Sequence, residues 1–221
     1  LYKKLDAIEA FAADVSHEIK NPLTSLSTAV DSYQIVSDKG DKEKLIKIIK
    51  DDISRIDKLI SDISSSSQLD AQLSRDESRK VDLIKLMQTI ALVYSSQNNP
   101  SKILLNIKDN SIFVYGLENA LAQVIKNIID NSLSFSPQLE RITINVKKRT
   151  KMVVITFDDN GEGFIPNQLH KVFNRFYTNR PNNKFISHSG LGLSISKQII
   201  EAHEGTITAE NIRDINNKVL G

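Results

Sequence analysis

The chain has 221 residues, 40% of them hydrophobic and 25% charged, with a formal net charge of +2. This fits one or two globular domains and argues against a nucleic-acid binder, in which lysines would gather into a stripe. It contains no cysteine, which excludes disulfide frameworks and thiol chemistry and fits a reducing compartment, and no apolar run approaches the roughly 20 residues needed to cross a bilayer.

In chain order, apolar residues first recur at Leu5, Ile8, Phe11, Val15, Ile19, Leu23, Leu26, Val30 and Tyr33. Steps of three and four predict one long amphipathic helix. Pro22 falls inside it, where it removes the hydrogen bond to the Glu18 carbonyl at a cost of about 3 kcal/mol and predicts a bend beside His17. Ser37 to Asp41 reads as a turn, and a second stripe follows at Leu45, Ile49, Ile53, Ile56, Ile60 and Ile63. Two long helices joined by a short turn predict an antiparallel hairpin. A hairpin alone leaves apolar surface that a second copy covers most easily, so a dimeric four-helix bundle is expected.

From Ser64 to Lys80 the chain turns polar, and the domain boundary is expected there: residues 1–70 form the first domain, 71–80 a linker, and 81–221 the second. Leu83 to Ser95 then reads as a helix, Ile103 to Ile107 and Ile112 to Tyr115 as short strands, and Leu117 to Phe135 as a long helix. Arg141 to Lys147 and Met152 to Asp158 alternate as a strand pair around a Lys148-Arg149-Thr150-Lys151 turn. A loop-rich segment from Gly161 to Ser189 leads to a helix from Leu191 to Ala202 and a last strand near Thr206 to Ala209. Together these predict an α/β sandwich with helices on one face of a mixed sheet.

Four clusters carry chemistry. In Ser16-His17-Glu18-Ile19-Lys20-Asn21-Pro22-Leu23, His17 and Asn21 share one helical face. An imidazole nitrogen is a nucleophile near neutral pH, and Glu18 is placed to take or hold the ring proton, so His17 reads as a phosphoryl acceptor. A lone helical histidine is, however, more often packed or solvated. A helical zinc-protease motif fails, because Asn21 stands where a second histidine is needed. Asn127 and Asn131 again lie four apart with Asp130 between them; their carboxamide oxygens suit Mg²⁺ beside phosphates and water, although paired helical asparagines are usually only solvated. Asp159-Asn160-Gly161-Glu162-Gly163 follows a strand, and an ordinary turn explains it equally well. Ser189-Gly190-Leu191-Gly192 opens a helix, whose free amides favour phosphate.

The order of these clusters resembles the catalytic portion of a sensor histidine kinase. The phosphoacceptor box is similar to the segment around His17, the N box to Asn127-Ile128-Ile129-Asp130-Asn131, the first glycine box to Asp159 through Gly163, the F box to Val172-Phe173-Asn174-Arg175-Phe176-Tyr177, and the second glycine box to Gly190-Leu191-Gly192-Leu193. Within the family, Phe11 to Leu26 and Asp51 to Leu73 resemble the ChvG type. The resemblance implies a dimeric phosphoacceptor hairpin followed by a GHKL-type ATP-binding sandwich, with ATP and Mg²⁺ as cofactors and a response-regulator receiver domain as partner.

It further implies that His17 accepts the γ-phosphoryl group, that Glu18 serves as base and orienter, and that Asn21 places a water for dephosphorylating the regulator. Asn131 becomes the main Mg²⁺ ligand with Asn127 nearby. Asp159 takes the adenine amino group, Gly161, Gly163, Gly190 and Gly192 let a lid close over phosphate, and Tyr177 and Leu191 join the nucleotide contacts. Ser134, Thr178 and His188 depart from the family pattern, which leaves Arg175 or Arg180 to supply the lid's charge. The rivals are another ATPase of this fold class, which lacks the hairpin, and a pseudokinase that only docks or dephosphorylates a regulator. The chain opens on Leu1 and closes on Val219-Leu220-Gly221, which predicts a piece of a longer protein; the resemblance implies that the full-length protein sits at the cytoplasmic face of the inner membrane and that the family's final strand, after Asn217 to Gly221, is missing.

Overall fold

A computed structural model describes residues 2–96, 102–135, 141–177 and 189–212, in two compact units. The first unit comprises Leu1–Ser67 and Arg175–Leu191, and the second Gln68–Asn174 and Gly192–Gly221.

The first unit is built on α1 (Tyr2–Ile35) and α2 (Lys39–Arg75). Pro22 lies inside α1 and is fully buried, and the helix continues past it. Three residues join the helices, and Asp38 starts α2 by accepting the Asp41 amide on its Oδ1 at 2.9 Å, the usual work of an N-cap. On α2, Asp52, Leu59 and Asp62 are buried. Ile46, Ile53 and Ile60, seven residues apart, are instead 38%, 54% and 53% exposed, as are Leu23 (50%) and Val30 (39%) on α1. Two of the six residues of the predicted α2 stripe, Ile53 and Ile60, are therefore exposed.

The polar run from Ser64, read above as the boundary, is helical through Arg75. Serine tolerates a helix when neighbours at helical spacing are packed, and Leu69, ten residues beyond Leu59, is buried.

In the second unit, β1 (Arg79–Asp82) pairs antiparallel with β3 (Phe113–Gly116), while β2 (Lys102–Ile107), β4 (Arg141–Lys148) and β5 (Val153–Asp158) form a mixed sheet in the order β2-β4-β5. β2 and β4 are parallel, β4 and β5 antiparallel. The register sets Ile103 against Ile142 and Leu105 against Ile144 on one face. On the other face the Asn106 amide donates to Asn145, and the Asn145 amide to Asp158. Helices α3 (Leu83–Ser96) and α4 (Glu118–Phe135) bring Leu86, Met87, Ile90, Leu121, Ile125 and Ile129 onto the apolar face, so the period-2 and period-3.6 patterns meet in one core. Asp82 ends β1 and caps α3 through the Ile84 and Lys85 amides. The last helix, α5 (Gly192–Ala202), packs on α4.

The strand expected over Thr206 to Ala209 is a correction: residues 205–212 carry no strand pairing. A strand needs a ladder, and in its place Asn211 makes a reciprocal pair with the Phe164 backbone, accepting its amide and donating to its carbonyl, each at 2.7 Å. The short strand β1 went unread because Arg79-Lys80-Val81-Asp82 shows no apolar alternation. The end of the chain, where a missing final strand was expected, lies outside the described residues.

Candidate functional site

Four helical turns into α1, His17 is exposed, and its ring has no hydrogen bond among the described residues. The neighbouring Glu18 faces α2, where its Oε2 accepts from Arg55 Nη2 at 2.9 Å in a partly buried ion pair. Arg55 was not singled out from the sequence; the signal for it was a cation beside the second stripe, next to Ile56. Asn21, exposed one turn on, opens a groove of about 550 Å³ between α1 and α2 that Thr24, Thr28, Leu45 and Ile48 also line.

The first unit also holds the two ends of the segment Arg175–Leu191. The Arg175 guanidinium lies 4.9 Å from the centre of the Phe11 ring, and Phe176 stacks on that ring at 6.0 Å, a favourable cation–π and aromatic pairing. Phe176 has a positive φ of 59° and donates its amide to the Gly190 carbonyl at 3.0 Å. Gly190 itself has φ 71°, a left-handed backbone that glycine adopts without strain. Ser189 donates its hydroxyl to the buried Asp62 of α2 and accepts the Leu191 amide. Tyr177 is half-buried and Leu191 buried. Arg180, Thr178 and His188 lie outside the described residues.

The second unit carries the remaining candidates. Asn127 and Asn131 project from α4, both half-buried. The Asn127 amide donates to the Gly192 carbonyl at 3.0 Å and lies 3.4 Å from the Ser196 hydroxyl. Its nitrogen is thus committed to α5 and its oxygen is left as the acceptor. The Asn131 carboxamide has no hydrogen bond among the described residues. Asp130 turns to α3, taking the Tyr94 hydroxyl at 2.6 Å, and burial together with this bond pushes the phenol well above its usual range. After β5, Asp159 Oδ1 accepts the Gly161 amide at 2.9 Å, and Gly163 adopts φ 74°, which a side chain would resist. A Cβ at Gly192 would meet only ordinary contacts near Asn127, so no steric need for glycine operates there.

Among the described residues, no cluster of three His, Cys, Asp or Glu side chains forms a metal site. A carboxamide oxygen on Asn131, with the acceptor end of Asn127, fits Mg²⁺, which takes one or two protein oxygens and fills its shell with phosphate and water. No helix among the described residues is long and apolar enough to cross a membrane.

Residues 7–72 match the His Kinase A phospho-acceptor domain, and residues 116–219 the histidine kinase-, DNA gyrase B- and HSP90-like ATPase. The sensor protein ChvG of Rhizobium meliloti is 44% identical over all of this chain and 40% of its own length. That of Agrobacterium fabrum is 41% identical over 97% of the chain and 38% of its own length. The chain thus spans about two fifths of the length of these relatives. Histidine kinase ThkA, solved in complex with the response regulator protein TrrA, superposes with a TM-score of 0.73 at 21% identity over 96% of this chain and 60% of that one. The histidine kinase AdeS of Acinetobacter baumannii gives 0.61 at 20% identity over 87% and 89%; both likenesses speak to the fold alone. With the phospho-acceptor hairpin followed by the ATPase sandwich, and ChvG-like sequence along the whole of it, the chain belongs to the sensor histidine kinases, as their ChvG-type catalytic portion.

Proposed function

We propose that this chain moves the γ-phosphoryl group of ATP to a ring nitrogen of His17 and then to an aspartate of a response-regulator receiver domain, working as a homodimer. The observation that carries the reading is the exposed, unengaged imidazole of His17 on a hairpin whose partner unit belongs to the ATPase family.

In the forward step the imidazole lone pair forms the new N–P bond while the bond from γ-phosphorus to the β–γ bridging oxygen breaks, and ADP leaves with that electron pair. The proton on the other ring nitrogen passes to solvent or to Glu18. The Arg55 ion pair holds the Glu18 carboxylate in place across the hairpin. Asn131 and the oxygen of Asn127 would hold Mg²⁺, which when bound neutralises phosphate charge. Asp159 would read the adenine amino group, and Gly161 and Gly163 bring backbone close to the nucleotide. Arg175, Tyr177, Arg180, Gly190, Leu191 and Gly192 would complete the lid. Phosphoryl transfer of this kind is mostly positioning and charge neutralisation.

The groove beside Asn21 suits a receiver domain, and ThkA, whose fold this chain shares, was solved with a response regulator. Asn21 there would hold a water for dephosphorylating the regulator. Domain limits at 1–70 and 81–221, and a full-length protein at the cytoplasmic face of the inner membrane, follow from the same reading.

Incubation with γ-labelled ATP and Mg²⁺ tests it. The expected product is acid-labile, base-stable label on the wild type and none on His17→Gln, with ATP affinity unchanged in the variant. Label retained by His17→Gln would sink the assignment, and a wild type that binds ATP without labelling would favour the pseudokinase.

A further inference from the structure

His203 follows α5 and takes no part in the reading above, yet both nitrogens of its ring are used. Nε2 accepts the Leu117 amide at 3.0 Å, and Nδ1 donates to the Ile199 carbonyl at 2.7 Å. This pair of bonds assigns the neutral ring with its proton on Nδ1. Leu117 immediately precedes α4, and its amide would otherwise be one of the donors that a helix start leaves unmet. The ring therefore bridges the end of α5 to the beginning of α4.

The neighbouring backbone is shaped around this ring. Beyond it the chain leaves α5 through Glu204, whose φ is +59°. The Glu204 amide bonds to the Glu201 carbonyl at 3.0 Å and the Gly205 amide to the Ile200 carbonyl at 2.8 Å. This is a Schellman closure with a non-glycine residue at the left-handed position, a strained conformation that persists only where the surroundings enforce it. On the opposite side Gly116 is buried, and a Cβ there would stand 2.5 Å from the imidazole Cδ2 and 2.7 Å from Nε2. Only glycine lets the ring reach Leu117.

The two helices are consequently clasped twice. Going along α4 from Leu117 to Asn127 covers ten residues, about 15 Å at the helical rise, and α5 from Gly192 to His203 covers a nearly equal span in the opposite direction. One clasp is the imidazole on Leu117. The other is the Asn127 amide on the Gly192 carbonyl, which decides which end of that carboxamide is left as an acceptor.

We propose that His203 is a positioning residue for the nucleotide site: by fixing the register of α5 on α4 it keeps the Gly192 carbonyl on the Asn127 amide, and so keeps the Asn127 oxygen available to the Mg²⁺–nucleotide. The inference rests on the reading that α4 carries that ligand. Its loss loosens binding without touching the acceptor histidine, so the effect falls on KM for ATP and not on the labelling rate at saturation.

The test measures His17 labelling against ATP concentration in the whole chain. His203→Phe, which keeps the ring and removes both nitrogens, is expected to raise KM about fivefold with the saturated rate within about twofold. His203→Gln, which offers an acceptor near the position of Nε2, is expected to recover at least half of the loss. Gly116→Ala should displace the ring and reproduce the His203→Phe effect, and the double variant should be no worse than either single one, because both remove the same bond. An unchanged KM in either single variant, additive effects, or a KM that fails to recover in His203→Gln overturns the proposal. Should His203→Phe not fold, Gly116→Ala and His203→Gln decide it by the same criteria. A wild type that binds no ATP refutes the nucleotide reading itself, a result visible before any variant is made.

Discussion

The two units treat the same residue type in opposite ways. Ile129 and Ile142 in the second unit are completely buried, while Ile53 and Ile60 in the first are more than half exposed. Sheet and helices close a core in the second unit, where each isoleucine withdrawn from water contributes ~1.5–3 kcal/mol. The hairpin instead buries Asp52 and Asp62 of α2 and leaves Ile46, Ile53 and Ile60 exposed at a seven-residue spacing, which suits another helix better than water. One unit is finished by its own packing, and the other keeps an exposed apolar row that the proposed second copy would cover.

That contrast can be broken most severely inside the sandwich. Ile129→Ala leaves a hole against the sheet and is expected to cost about 2–5 kcal/mol, read as a lowered midpoint for the second unit in denaturant unfolding. A change under about 1 kcal/mol would mean that its core is looser than its burial indicates. In the hairpin, Ile53→Lys combined with Ile60→Lys should scarcely alter the helicity of the monomer but weaken self-association about 100-fold in sedimentation equilibrium, on the order of 2.7 kcal/mol. A dimer indifferent to both lysines would show that the exposed seam is not its interface.

Legibility divides along the same line. The long helices, α3, α4 and β2 to β5 could be read because their apolar spacing was regular. The reading failed where tertiary partners decide: Thr206 to Ala209 form no ladder because pairing depends on a neighbour, not on their own alternation. In the candidate sites, His17, Asn127 and Asn131 were legible as clusters at helical spacing. The Arg55 pairing with Glu18, the Asn127 commitment to Gly192 and the bridge through His203 join residues 37, 65 and 86 positions apart, and no local pattern announces such pairs.

A milder test separates surface chemistry from binding. Asn21 is exposed beside the groove of the hairpin, whereas the Mg²⁺ and adenine candidates Asn127, Asn131 and Asp159 belong to the second unit. Asn21→Ala is therefore expected to slow dephosphorylation of the regulator about tenfold, roughly 1.4 kcal/mol, and to leave His17 labelling within about twofold. Loss of both activities together would contradict this division of labour.

The smallest effect is expected at Tyr94, whose hydroxyl links α3 to Asp130 on α4. Burial first, then the bond and charge of Asp130, raise the phenol's pKa in the folded chain, so folding favours its neutral form. The sign follows from linkage: the contribution is complete below the unfolded tyrosine value near pH 10 and is lost as pH rises through the higher folded value. Tyr94→Phe should cost about 1 kcal/mol at pH 8 and leave no orphaned group, because Asp130 is exposed and can turn to water. Wild type and variant should then converge in stability as pH climbs above about 10, followed by urea unfolding at each pH. Parallel curves across that range would show that the hydroxyl's proton is not held by the fold, and that α3 and α4 are joined by apolar packing alone.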